Sequence, residues 1–336
     1  MMNERDVALF TRQLAQMLLS GLPMLQALAL LTRGQWARNP ILASIQREVE
    51  AGRPLSVALA KHPRLFDKLY LHLVRAGEHA GSLDTILERL AQYKERTLAL
   101  KARIKSAFYS PAFTAIIALI VIAVVLSWHP ALNGVESPLH AGEELPLIAR
   151  IVRGALMFFS RHWLLILATP IAGVWGLFRA WKTSAQFRQQ ADHWLLHSMI
   201  FGRLVRQSAL ARWSRALATL YAAGVPMIDA LGSVSGTTGN HVYDEATRRI
   251  QSAIERGSSL TEAVKTTRLF PDMAQQLIAT GETTGALDTT LTRLAEYYEI
   301  EVNNASRALT SLLNPLITVV MGIIIGIMVI GLHMLS

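Results

Sequence analysis

Four carboxylates stand in two copies of one short pattern: Gly77-Glu78-His79-Ala80-Gly81-Ser82-Leu83-Asp84 and Gly281-Glu282-Thr283-Thr284-Gly285-Ala286-Leu287-Asp288. Glycines at this spacing permit a tight turn between helices, and an aspartate at the start of the next helix can accept from its free N–H groups and oppose its positive end. Glu78 and Glu282, placed just before the turn, have three roles open to them. They can be solvated or paired within the fold, they can face a partner or the other copy, or they can share a hard divalent cation. That last role normally needs about six to eight oxygens, more than two carboxylates bring. Other chemistry is poorly supported. His193-Trp194-Leu195-Leu196-His197 sets two imidazoles at i and i+4, but it lacks the glutamate of a zinc helix and a third ligand, and reads as an amphipathic helix near a membrane. Gly232-Ser233-Val234-Ser235-Gly236 has valine where a nucleophilic serine would stand, and no Gly-x-x-x-x-Gly-Lys-[Ser/Thr] occurs. The absence of cysteine excludes thiol catalysis, disulfides, cysteine-bound zinc and iron–sulfur centres. The chain therefore reads as a non-enzyme without cofactor or metal.

The elements that must position these residues belong to a membrane protein. Of 336 residues 51% are hydrophobic and 17% charged, and the mean hydropathy is +0.31. No acidic or basic residue lies between 106 and 135, and residues 111–128 are long enough to span a bilayer as a helix. A shorter charge-free run, 162–178, is flanked by Arg161 and Arg179, with Trp163, Trp175 and Trp181 near its ends. After Arg307 no side chain is charged, and 315–332 forms a third apolar run in which Gly322-Ile-Ile-Ile-Gly326 suits close helix packing. Lys and Arg number 16 in residues 1–110, 3 in 129–162 and 14 in 179–314, so the positive-inside rule puts both long segments in the cytoplasm. The N-terminus has no signal-peptide pattern and stays inside. The net charge of +9 fits a basic skin beside anionic lipid, and no nucleic-acid-reading motif accompanies it.

A repeat organises the cytoplasmic segments. Residues 62–111 laid over 266–315 give 18 identities in 50 positions, 11 of them between Gly77 and Tyr93. Upstream, Ser20-Gly21-Leu22-Pro23-Met24 matches Ala223-Gly224-Val225-Pro226-Met227. Apolar spacing, Asn39-Pro40 as a helix start and Ser259-Leu-Thr-Glu262 as a capping box all predict helices, and no stretch alternates as a strand would. The expected architecture is an all-α membrane protein with two homologous cytoplasmic helical-bundle modules and three transmembrane helices. Its segments are module 1 at 1–106, a span at 107–128, a periplasmic loop at 129–161, a span at 162–181, module 2 at 182–310 and a span at 311–334. The last helix of each module is expected to run into the membrane, with Pro111 and Pro315 as local weak points in its hydrogen-bond ladder.

Two copies of Gly-Glu-x-x-Gly-x-Leu-Asp, each followed by a helix reaching Ser-Pro or Asn-Pro at a span, with Gly-Leu-Pro-Met or Gly-Val-Pro-Met upstream, resemble the type II secretion F-protein family. The resemblance covers nearly the whole chain; where the family often has Val-Pro-x-Phe after the first span, this chain has His129-Pro130-Ala131-Leu132. It implies a platform protein of the bacterial inner membrane, working as a homo-oligomer in type II secretion or type IV pilus assembly. The partners it implies are a cytoplasmic assembly ATPase, pilin or pseudopilin subunits and other inner-membrane assembly proteins. An oligomeric transporter or permease subunit is the alternative, but it predicts polar groups at membrane depth, and the apolar runs 111–128, 162–178 and 315–332 contain no Asp, Glu, Lys or Arg.

Overall fold

The computed structural model describes residues 2–34, 36, 39–128, 176, 179, 185–198 and 201–333, with backbone only over 107–128 and over parts of 185–197 and 309–333. All of the regular structure described is α-helix. Six helices come first: α1 (Glu4–Leu19), α2 (Met24–Arg33), α3 (Pro40–Glu50), α4 (Leu55–Ala60), α5 (Lys68–Ala80) and α6 (Leu83–Trp128). After α7 (Ala185–His197) the same order of long and short helices recurs as α8 (Gly202–Ala222), α9 (Met227–Val234), α10 (His241–Glu255), α11 (Leu260–Thr267), α12 (Asp272–Thr284) and α13 (Leu287–His333).

Local chemistry sets the boundaries. Asn39 accepts from the Ile41 N–H at 3.0 Å with Pro40 at the first helical position, and Ser259 accepts from the Glu262 N–H at 3.1 Å. The chain breaks after α1 and α8 where Gly21 and Gly224 take φ of +85° and +76°. One start was not foreseen: Asn3 and Asp6 form a reciprocal capping box that begins α1 at Glu4.

Residues Met1–Arg103 and Asp192–Ala305 make one compact unit, while Ile104–Ala191 and Ser306–Ser336 make another. The first unit holds two apolar cores of matching composition. Phe10, Leu14, Leu28, Ile45, Leu59, Leu73 and Leu90 fill one; Trp213, Leu217, Leu231, Ile250, Val264 and Leu294 fill the other. Ring pairs close each core, Phe66 edge-on to Tyr70 at 4.9 Å and Trp213 edge-on to Phe270 at 4.8 Å.

No helix among the described residues is long and apolar enough to cross a membrane. The expected loop at 129–161 and nearly all of the expected span at 162–181 lie outside the described residues. Backbone is described through 107–128 and to His333, where α6 and α13 continue as single helices, α13 with Pro315 inside it.

Candidate functional site

Each residue type in the repeated motif has its own geometric task. Gly77 and Gly281 are buried where α5 meets α6 and α12 meets α13. A Cβ at 77 would lie 3.0 Å from Ile86 Cβ and 3.2 Å from Leu83 Cα; at 281 it would lie 2.0 Å from Thr290 Oγ1 and 3.2 Å from Leu287 Cα. The first glycine therefore lets two consecutive helices approach. Gly81 and Gly285 end α5 and α12 in the left-handed region, at φ +65° and +69°. At the first of these turns the Ser82 N–H reaches the Gly77 carbonyl at 3.0 Å and the Gly81 N–H reaches the Glu78 carbonyl at 3.4 Å, closing a Schellman cap. Asp84 and Asp288 fall in the first turns of α6 and α13, where their charge opposes the positive helix ends.

The two glutamates turn inward, each onto a helix of its own repeat. Glu78 accepts from the Ser56 N–H at 3.2 Å and the Ser56 hydroxyl at 2.5 Å, at the start of α4. Glu282 accepts from the Leu260 N–H at 2.7 Å, the Thr261 N–H at 2.9 Å and the Thr261 hydroxyl at 2.5 Å, at the start of α11. Each carboxylate thus satisfies free N–H groups of the short fourth helix from a distance of about 22 residues in sequence. Burial works to raise the Glu282 carboxyl, but the Thr261 hydroxyl and the Thr261 and Leu260 N–H groups prevail and hold it below its ordinary value. Glycine, glutamate, glycine and aspartate together fix how the fourth, fifth and sixth helices of each repeat join.

A second repeated device escaped the sequence reading. Arg12 on α1 makes a two-pronged contact with Glu95 on α6, both N–O distances being 2.7 Å, and also bonds Glu88. Arg215 on α8 bonds Glu299 on α13 at 2.8 Å. The two arginines and the two glutamates are repeat counterparts, so in each copy a guanidinium ties the first helix to the last. Arg12 holds the Glu88 carboxyl below its ordinary value, with help from Gln92. The signal was present in the sequence as identities at repeat spacing, but such positions do not reveal that they touch.

The two repeats also meet. His72 Nδ1 lies 2.5 Å from Ser233 Oγ, joining α5 to α9, and Arg96 on α6 sits 3.5 Å from Glu296 and 3.8 Å from Glu299 on α13. Arg89 on α6 donates to the Ala222 carbonyl at the end of α8.

Comparison with known proteins now supplies the family. The family model described as type II secretion system (T2SS), protein F matches residues 10–128 and again 213–334, each match opening in the first helix of a repeat and running along its last. The chain belongs to the type II secretion system protein F family. Its relatives include the type IV pilus assembly protein PilC of Pseudomonas aeruginosa, 40% identical over 98% of this chain and 88% of the relative. The type IV pilus assembly protein TapC of Aeromonas hydrophila is 36% identical over 98% of this chain and 80% of its own length. The type II secretion system protein F of Xanthomonas campestris pv. campestris is 35% identical over 96% and 80%. Secretion and pilus assembly thus both occur among the proteins that this family member resembles.

Among the remaining sequence candidates, Pro315 lies inside α13 and Pro111 inside α6. Nothing among the described residues lies within 4 Å of a Cβ built at Gly322 or Gly326. Trp194, in the His193–His197 stretch of α7, is 82% exposed, and among the described residues no three His, Asp or Glu side chains gather as a metal site would need.

Proposed function

We propose that the chain is a multi-pass platform protein of the bacterial inner membrane, with a cytoplasmic N-terminus, that couples a cytoplasmic assembly ATPase to the addition of pilin or pseudopilin subunits to a filament. The observation that carries this reading is that the family match falls twice on one pattern, a helical repeat whose last helix continues into an apolar segment. The pilus-assembly and secretion names of the relatives supply the setting. In this reading residues 1–106 and 182–310 are cytoplasmic modules, 107–128, 162–181 and 311–334 are spans, and 129–161 faces the periplasm. An exposed Trp194 on α7 suits a helix beside lipid headgroups. The chain offers no nucleotide-binding motif of its own, so the driving force comes from the ATPase.

The mechanism follows the helices. A push or rotation of a module reaches the apolar segment along α6 or α13, and the missing backbone donor at Pro111 or Pro315 gives each helix one compliant point. Gly77, Glu78, Gly81 and Asp84, with Gly281, Glu282, Gly285 and Asp288, set the angle at which those helices leave the modules, and in this reading they place the partner-binding surface. Gly322 and Gly326 pack the third span against another helix.

Complementation of a deletion strain tests this. Loss of surface filaments or of secreted substrate on deletion, full restoration by the wild-type chain, and poor restoration by membrane-inserted Pro111→Ala and Pro315→Ala variants are expected. A deletion without effect on either readout contradicts the platform role, and full restoration by both proline variants removes the compliant points.

A further inference from the structure

Arg212, on α8, is mostly buried where the second repeat meets the first, and its charge is unanswered. Its guanidinium has no hydrogen-bond or ion-pair partner among the described residues, and its Nε is fully enclosed. Burial pulls the group below its ordinary value, and the proximity of Tyr93 and Asp244 offsets that only in part. Asp244 is already engaged: it accepts from the Gly236 N–H at 2.9 Å and the Thr238 hydroxyl at 2.6 Å, holding the turn that follows α9. A guanidinium taken out of water carries five N–H donors, and its burial is costly until something accepts from them.

Arg212 lines a cavity of about 340 Å³. Glycine makes room for it there: at Gly239, with φ +69°, a Cβ would stand 2.9 Å from Arg212 Nη2 and 3.0 Å from its Cζ. The first repeat brings Arg64, from the segment joining α4 to α5, and Lys94 and Lys101 of α6 to the same cavity. Lys94 pairs with Asp67 at 2.7 Å and Lys101 with Glu4 at 2.6 Å, both carboxylates being on the cavity wall. Arg64 is exposed and has no partner among the described residues. Four cations thus face two carboxylates, and two positive charges are left over. The corresponding cleft of the second repeat, about 520 Å³, is built differently. Tyr298 and Ala305 stand there in place of Lys94 and Lys101, and its arginines are engaged, Arg203 by Glu301 at 3.0 Å and Arg206 by the Leu196 carbonyl at 3.3 Å. The excess charge therefore belongs to one cavity and is not a by-product of the repeat.

We propose that this cavity binds a small phosphate-class dianion, either free phosphate or the terminal phosphate of a small ester, with Arg212 and Arg64 as its donors and Lys94 and Lys101 as flanking positive charge. The planar guanidinium fork matches the oxygens of a phosphate, and a double negative charge matches the two positive charges left over. A chloride or a single carboxylate would leave one of them unmatched. Held there, the anion joins α6 and the α4–α5 segment of the first repeat to α8 of the second, so that occupancy strengthens the contact between the repeats. This goes beyond the platform role and does not depend on it.

The test uses the full-length chain, purified in mild detergent and phosphate-free buffer. Thermal unfolding and calorimetric titration are followed with sodium phosphate and, separately, with glycerol 3-phosphate, against sodium chloride at matched ionic strength. A saturable rise in Tm with phosphate or with the ester, absent with chloride, is expected, and the tighter binder tells the free anion from the ester. Arg212→Met, which keeps most of the apolar stem, should weaken binding by about tenfold or more, and Arg64→Gln, at an exposed position, by about threefold or more. Without phosphate Arg212→Met should be no less stable than the wild type, because it removes an unpaired buried charge, whereas an arginine that merely holds the fold would give a loss. The proposal is overturned by the absence of a saturable shift with both anions, by an equal shift with chloride, by full-strength binding in both variants, or by a large loss of stability in Arg212→Met without phosphate.

Discussion

Replacing Gly281 by alanine would set a Cβ 2.0 Å from Thr290 Oγ1 and 3.2 Å from the Leu287 Cα, a backbone atom that cannot step aside. Crowding of this kind costs about 1–3 kcal/mol. Gly285→Ala meets no atom within 4 Å but forces alanine to φ +69°, costing roughly 1–2 kcal/mol through the backbone instead. Denaturant unfolding of the purified protein separates the two causes: Thr290→Ala should recover part of the Gly281→Ala loss and none of the Gly285→Ala loss. Equal recovery in both backgrounds would contradict the division of labour between the glycines. At this scale the sequence was legible for the turn, since Gly81 and Gly285 stand where helices must reverse. For Glu78 and Glu282 the sequence left three roles open, because the N–H groups that they accept from, at Ser56 and at Leu260 and Thr261, come from an earlier helix that only the tertiary fold brings near.

Among the elements, α11 begins without other shelter for its Leu260 N–H than the Glu282 carboxylate, and α4 leans on Glu78 in the same way. The Glu282 carboxyl is held below its ordinary value of 4.5 in the folded protein. A group with a lowered folded pKa contributes stability that is complete above its unfolded pKa and fades as pH falls through the folded one. Amide exchange at Leu260 and Thr261 should therefore be flat near neutral pH and quicken, relative to the intrinsic rate, as pH falls below about 4.5. Glu282→Gln should exchange faster at neutral pH and lose that acid step; an unchanged step in the variant would show that another group causes it. Helix starts carried by neighbouring residues, such as Asn39-Pro40 and Ser259, could be read from the sequence. The ties from α1 to α6 and from α8 to α13 could not, although Arg12, Arg215, Glu95 and Glu299 all persist through the repeat, because identity at repeat spacing reports equivalence and not contact.

For the whole molecule, the repeat foretold two similar helix sets but not that both lie in one compact unit. Mutual packing depends on faces such as Arg96 and Glu299, whose pairing spans some two hundred residues of chain. The family was legible because motif, duplication and apolar segments agree, and it was the family match that settled it. The coupling role rests on partners. Co-purification of the tagged full-length chain from its own cells in mild detergent, with bound proteins identified by mass spectrometry, measures that role most directly. Recovery of an assembly ATPase together with pilin or pseudopilin subunits is the predicted result, and the identity of those subunits names the filament. Recovery of neither with an intact, folded chain would contradict the account.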